Sequence, residues 1–126
     1  YLDLSDILER QMTLPGNDSI TRYERVIKSF IELLVIHYRE EHKVEFYASE
    51  LNLSSHYLTL IVKQVTGQSV SDFIYEMLYS EARTLLSHSK LSVQEIAAKL
   101  NFSDQSSFGK FFKRKSGLSP KEFRKE

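Results

Sequence analysis

The stretch Ser92–Arg124 reads SVQEIAAKLNFSDQSSFGKFFKRKSGLSPKEFR and carries the clearest structural signal in the chain. Ser92 and Glu95 have the spacing of a capping box, in which a hydroxyl and a carboxylate each accept a backbone N–H at the start of a helix. Asn101 suits a tight turn, because asparagine tolerates positive φ better than most residues. Gly117 suits the left-handed position that ends a helix. The stretch therefore predicts short helices joined by tight connections.

The same layout occurs earlier in the chain, so this stretch is one copy of an internal repeat. Residues 48–54 (ASELNLS) align with residues 97–103 (AAKLNFS) at an offset of 49. Further matches follow at an offset of 50. The second copy is therefore one residue longer than the first, and the additional residue corresponds to the segment between Ser54 and Leu58. The matching residues are Leu58, Val62, Lys63, Thr66, Gly67, Ser69 and Phe73 in the first copy, and Phe108, Phe112, Lys113, Ser116, Gly117, Ser119 and Phe123 in the second. Each copy has the layout of a helix-turn-helix, with its second helix as the recognition helix.

Apolar residues recur at helical spacing along the chain, and no segment alternates with period two, so we predict an all-α fold. A further capping box is expected from Ser69 to Asp72, and Pro120 suits the first position of the last helix. Asp18 or Ser19 can cap the long helix. The predicted helices cover about 4–11, 20–41, 46–52, 55–66, 71–87, 93–100, 105–115 and 120–125.

The composition is that of a globular domain and excludes several classes of protein. The 126 residues are 41% hydrophobic and 27% charged, which argues against disorder. No apolar run approaches the length of a membrane span, so no membrane partner is expected. The chain has no cysteine, which excludes disulfides, thiolate metal sites and cysteine nucleophiles and fits a reducing compartment. Its start, YLDL, has neither an initiator Met nor the features of a signal peptide, and is expected to come from within a longer protein.

The net charge of zero hides an asymmetry along the chain. Residues 1–50 hold 10 acidic and 6 basic side chains, whereas residues 99–126 hold 3 acidic and 8 basic ones. A basic C-terminal quarter permits nucleic-acid binding on one face of the molecule.

The repeat leads to a resemblance to a known family. The span from about Glu45 to Arg124 resembles the DNA-binding domain of the AraC/XylS family of bacterial transcription regulators, and Ser92–Arg124 matches that family's second motif nearly throughout. The resemblance implies two homeodomain-like helix-turn-helix subdomains joined by a linker helix, which read two successive major grooves about 34 Å apart. It implies a DNA-binding domain over residues 19–126, after an N-terminal connector helix and linker in residues 1–18; an ordinary N-terminal helix is the alternative for those first residues. Within that domain the first helix-turn-helix covers about 46–67, the linker helix about 71–87 and the second helix-turn-helix about 93–117.

In the second recognition helix we expect a buried aromatic stripe and a polar face for DNA. Phe108, Phe111 and Phe112 form the stripe. Gln105 and Ser106 lie at the N-terminal end, which meets base edges in a recognition helix. By resemblance, base contacts fall on Gln105, Ser106 and Lys110, with Lys110 standing where the family often has Arg, so its guanine selectivity is expected to be looser. Lys113 and Arg114 are assigned to phosphates; a solvated basic face is the alternative.

In the first recognition helix the resemblance places base contacts on His56, Thr59 and Leu60. Thr59 and Leu60 offer methyl groups suited to thymine, while His56 can donate to a base or phosphate. The alternative for Leu60 is simple exposure or packing on a missing neighbour. Ser54 and Ser103 are expected to cap the recognition helices, and amides near such caps can also bind phosphate. Lys63 aligns with Lys113 and is a further candidate phosphate contact.

Other functions find little support in the sequence. The histidines, His37, His42, His56 and His88, do not share metal-binding spacing, and no phosphate loop or nucleophile elbow is present, so we expect no metal, no cofactor and no enzyme activity. The main rival is a helical protein–protein interaction module that does not bind DNA. The resemblance implies a cytoplasmic protein with double-stranded DNA and RNA polymerase as partners, and an effector ligand bound only through a domain absent from this chain.

Overall fold

The computed structural model describes residues 18–125, which form seven helices and no strand, and so confirms the predicted all-α fold. The helices are α1 (Asp18–His37), α2 (Val44–Glu50), α3 (Ser55–Thr66), α4 (Val70–His88), α5 (Val93–Lys99), α6 (Gln105–Ser116) and α7 (Pro120–Lys125). The helix predicted at 4–11, and the capping of α1 by Asp18 or Ser19, lie outside the residues and side chains that the structure describes.

The first of these helices ends at His37, so the prediction that it continues to about Glu41 is wrong. The reason is a set of contacts made by the residues that follow. Tyr38 is buried and donates its hydroxyl to the Glu81 carboxylate at 3.2 Å, and Arg39 donates its Nε to the same oxygen at 2.7 Å. Burial, and then the charge of Glu81, raise the pKa of Tyr38. Hydrophobicity at helical spacing could not reveal that a distant carboxylate holds this segment.

The short first helix of each helix-turn-helix ends at a left-handed asparagine. After α2, Asn52 has φ 58°, and after α5, Asn101 has φ 61°, which confirms the turns predicted from these residues. The two turns share a backbone bond pattern, since Leu53 N–H donates to the Ala48 carbonyl and Phe102 N–H to the Ala97 carbonyl, both at 2.9 Å. The repeat is therefore a structural duplication.

Capping fixes the helix starts. The Ser92 hydroxyl accepts the Glu95 N–H at 3.0 Å while Glu95 accepts the Ser92 N–H at 2.8 Å. The same reciprocal pair joins Ser69 to Asp72 before α4, as predicted, and Ser119 to Glu122 before α7. At the other ends, Gly117 closes α6 with a φ of 84°, as predicted for a left-handed cap, and its counterpart in the repeat, Gly67, closes α3 with a φ of 79°.

The chain divides into two compact units. The first contains residues 18–37 and 42–73, and its core is built around Phe30 of α1. The Phe30 ring meets Tyr47 edge-on, with ring centroids 5.7 Å apart, and Phe73 with centroids 6.1 Å apart. The buried side of α3 completes this core with Leu58, Ile61 and Val62. Burial of one face of α3 leaves its opposite face exposed.

The second compact unit contains residues 38–41 and 74–125, and its core is centred on the aromatic residues of α6. Phe112 is fully buried, and its ring centroid lies 5.4 Å from that of Tyr79 and 5.2 Å from that of Phe123. Phe108 and Phe111 are also buried, so the predicted aromatic stripe is confirmed. Between residues 18 and 125, no helix combines the length and the apolar character needed to cross a membrane.

Candidate nucleic-acid interface

The first compact unit presents one exposed face of α3. His56, Thr59, Leu60 and Lys63 are all exposed and follow the i, i+3, i+4, i+7 spacing that places side chains on one side of a helix. Leu60 is 45% exposed although it is a large apolar residue. All of the residues that the sequence assigned to α3 therefore lie on one accessible face.

The second compact unit presents the corresponding face of α6. Gln105, Ser106, Lys110, Lys113 and Arg114 are exposed, while the three phenylalanines of the same helix are buried. Gln105 and Ser106 occupy the first turn of the helix, and the basic residues occupy its later turns. The predicted DNA-facing residues of α6 thus lie together on the side away from the core.

The cations of this face differ from their neighbour Lys115. Within residues 18–125, Lys110, Lys113 and Arg114 form no ion pair. Lys115 instead pairs with Glu76, and its Nζ lies 5.8 Å from the centre of the Tyr79 ring. Three basic side chains of α6 are therefore available to phosphates, whereas Lys115 is engaged within its own unit.

The prediction that Ser103 caps the second recognition helix is wrong. Asp104 is the N-cap of α6 and accepts the Ser107 N–H at 2.7 Å, while the Ser103 hydroxyl lies 3.2 Å from the Ser107 hydroxyl. Aspartate caps as well as serine does, and Asp104 lies one residue nearer the helix. Ser54, by contrast, caps α3 as predicted, accepting the Tyr57 N–H at 3.0 Å.

The Asp104 cap also shows where the extra residue of the second repeat copy lies. The caps Ser54 and Asp104 are 50 positions apart, whereas the turn residues Asn52 and Asn101 are 49 apart. The additional residue therefore lies before the cap, in the turn that leads into α6, and not between Ser54 and Leu58. The offset of 50 that already held downstream could have revealed the Asp104 cap.

The capping carboxylate adds a fixed charge at the start of α6. The Ser107 N–H, followed by the Ser107 hydroxyl, holds the pKa of Asp104 below its usual value, and the nearby Lys110 lowers it further. A negative charge already occupies the positive end of the helix dipole there.

One further residue of α3 belongs to this set and was not predicted. Gln64 is exposed and lies one turn after Leu60 on the same helix. The offset of 50 pairs it with Arg114, so the repeat itself is the signal that could have identified it.

Elsewhere in residues 18–125, no group of three or more His, Asp or Glu side chains is arranged to hold a metal ion.

Comparisons with known proteins agree with this architecture. Residues 47–126 match a family described as a helix-turn-helix domain. The chain is 36% identical over 111 residues to the Msm operon regulatory protein of Streptococcus mutans, an alignment that covers 88% of this chain and 39% of the relative. The chain thus spans less than half the length of the curated relatives it matches.

Two solved structures share the fold. The C-terminal domain of AraT, a response regulator from Geobacillus stearothermophilus, superposes with a TM-score of 0.75 at 27% identity, over 79% of this chain and 84% of that one. The DNA-binding domain of AdpA, solved in complex with a target DNA, gives a TM-score of 0.69 at 24% identity, over 76% and 86%. With the family match and the duplicated helix-turn-helix, the chain belongs to the AraC-type helix-turn-helix family of DNA-binding transcription regulators.

Proposed function

We propose that this chain binds double-stranded DNA sequence-specifically, as the DNA-binding part of a larger, non-enzymatic transcription regulator. The observation that carries the proposal is the division of each recognition helix into a buried apolar side and an exposed side with polar and basic groups, which in α3 also includes the apolar Leu60. In α6 the exposed side holds hydrogen-bonding groups in the first turn, followed by cations that form no ion pair within residues 18–125. Base readout and phosphate binding require those two kinds of group.

The proposal assigns the named side chains to two kinds of contact. Short-range contacts to base edges are made by His56, Thr59 and Leu60 from α3, and by Gln105, Ser106 and Lys110 from α6. Contacts to the phosphate backbone are made by Ser54, Lys63, Ser103, Lys113 and Arg114. The exposed methyl groups of Thr59 and Leu60 favour thymine, whereas Gln105 favours adenine and Lys110 favours guanine.

The domain limits belong to the same proposal. Residues 19–126 form the DNA-binding domain, with helix-turn-helix units at about 46–67 and 93–117, a linker helix at about 71–87, and a connector before them. In complex with DNA the two recognition helices occupy successive major grooves, which makes the target bipartite without requiring a palindrome. The internal duplication supports this arrangement, because each copy brings its own recognition helix.

The remaining partners of the whole protein follow from family membership alone. We include RNA polymerase as a partner, an effector that binds a domain outside this chain, and a cytoplasmic location, where bacterial DNA is accessible. None of these assignments depends on the residues of α3 or α6.

A salt titration tests the proposal against the rival, a protein-interaction module. Binding to mixed-sequence duplex DNA is measured by fluorescence anisotropy at several salt concentrations. If Lys63, Lys113 and Arg114 each neutralise one phosphate, log K falls against log salt with a slope of about −3. Weak binding that does not change with salt would contradict the proposal and favour the rival.

A further inference from the structure

Gly109 lies in the middle of α6, and neither the backbone nor the packing of the described residues requires a glycine there. Gly67 and Gly117 have φ values of 79° and 84°, which explains them as left-handed caps, but Gly109 is not in that region. A Cβ built on Gly109 would meet no heavy atom within 4 Å. Glycine in a helix interior lowers helix stability relative to alanine. The residue therefore weakens α6 without a compensating contact among residues 18–125.

The position of Gly109 relates it to the exposed face of α6. Gln105 lies one turn before it and Lys113 one turn after it, and both are exposed members of the proposed DNA-binding face. The partly exposed Gly109 lies between them, next to the exposed Ser106. In the first copy of the repeat the corresponding residue is Thr59, which carries a side chain.

Ser106, three residues before Gly109, shows what the absence of a side chain at position 109 permits. Ser106 has a single carbon between its backbone and its hydroxyl, so it can reach a base edge only if the helix backbone comes close to the DNA. A side chain at position 109 would project from the same region of the helix and hold the backbone away. Glycine is the residue that allows a backbone to approach a ligand closely.

We propose that Gly109 is a specificity-determining position at which the backbone of α6 lies directly against double-stranded DNA. The missing side chain lets α6 enter the groove deeply enough for Ser106 and Gln105 to contact base edges. This inference rests on the proposed function, because it needs α6 to be a recognition helix. It adds that α6 approaches DNA more closely than α3, where the side chain of Thr59 fills the equivalent space.

The test compares Gly109→Ala and Gly109→Leu with unaltered protein, using a duplex selected for tight binding and a random-sequence duplex. We expect Gly109→Ala to raise Tm by about 3 °C, since alanine favours the helix. The same change should raise Kd for the selected duplex by about tenfold, the size of one lost base contact, and Gly109→Leu should raise it further. Kd for random DNA should change less than about threefold, because that binding depends on phosphates.

Ser80→Ala and Ser80→Leu are the matched controls, since Ser80 is exposed on α4 and lies outside both recognition helices. Ser80→Leu adds a side chain of the same size to a helix, Ser80→Ala introduces the same residue as Gly109→Ala, and both changes should leave both Kd values unchanged. Normal affinity of both Gly109 variants for the selected duplex would overturn this inference while leaving the proposed function intact. Equal losses on both duplexes would also overturn the role in specificity. If the unaltered protein binds neither duplex, the proposed function itself fails.

Discussion

Asn101 donates its side-chain amide to the main-chain carbonyl of Glu40, 2.7 Å away and 61 residues earlier in the chain. Asn101 also holds the left-handed turn between α5 and α6, with φ 61°. One residue thus sets the helix-turn-helix turn and ties it to the segment that follows α1 within the same compact unit. Asn52, its counterpart, has the same backbone conformation.

These two roles of Asn101 can be separated by substitution. Asn101→Gly keeps the left-handed turn and loses only the side-chain bond, whereas Asn101→Ala loses the bond and strains the backbone. We expect Asn101→Ala to lower the free energy of unfolding by about 1–2 kcal/mol more than Asn101→Gly does. Urea denaturation followed by circular dichroism measures the difference. If both variants lost the same free energy of unfolding, the left-handed conformation at position 101 would not contribute to stability.

A second prediction concerns acid stability. Asp104 accepts a backbone N–H at the start of α6, and this bond lowers its pKa. Glu95 and Glu122 have lowered pKa values for the same reason, through the N–H groups of Ser92 and Ser119. When the folded-state pKa lies below the unfolded one, the stabilisation is complete above the unfolded pKa and disappears as the pH falls through the folded pKa.

Tm should therefore decrease as the pH falls below about 4, near the ordinary pKa values of these carboxyl groups. Asp104→Asn keeps a capping oxygen but removes the titrating charge. We expect the gap in Tm between the unaltered protein and this variant to be present at pH 7 and to shrink as the pH falls to about 3. Thermal unfolding at a series of pH values measures it, and a gap that stays constant over that range would refute the assigned cause.

The third prediction separates base readout from phosphate binding at the start of α6. Gln105 is exposed in the first turn, where a recognition helix meets base edges. Gln105→Ala should weaken binding to the preferred duplex by about 1–3 kcal/mol and change binding to random DNA little. Competition titrations with both duplexes measure this, and equal losses on the two would exclude a base contact.

The fourth prediction uses two lysines of the same helix that differ in their partners. Lys113 forms no ion pair among the described residues, whereas Lys115 pairs with Glu76. Lys113→Ala should weaken binding to specific and random DNA alike and make the salt slope shallower by about 1. Lys115→Ala, the matched control, should leave that slope unchanged and lower the free energy of unfolding by less than about 1 kcal/mol, as for a surface ion pair. A slope that responds equally to both changes would contradict the assignment.

Local signals in the sequence predicted most of the fold. Ser92 with Glu95 determined where α5 begins, Asn101 determined the turn, and Gly117 determined where α6 ends, because each depends on bonds within a few residues. Features that depend on distant contacts were not predictable. The end of α1 at His37 depends on Glu81, and the engagement of Lys115 depends on Glu76.

The candidate site was predictable to a similar degree. The buried phenylalanines of α6 define by exclusion which of its side chains are exposed, so the set from Gln105 to Arg114 followed from helical spacing. The cap was assigned wrongly because Ser103 and Asp104 are adjacent and both suit that position; only the geometry distinguishes them. Only the packing around α6 shows that no residue described by the structure gives a steric reason for glycine at position 109.

The most direct test of the central claim, that both recognition helices read DNA, is selection of preferred sequences from a pool of random duplexes. The account predicts two short conserved blocks whose centres are separated by about one helical turn, roughly 10 base pairs, without two-fold symmetry. Selection with the Gln105→Ala variant should weaken the sequence preference in one block and leave the preference in the other block unchanged. A single conserved block, or no enrichment at all, would contradict the account.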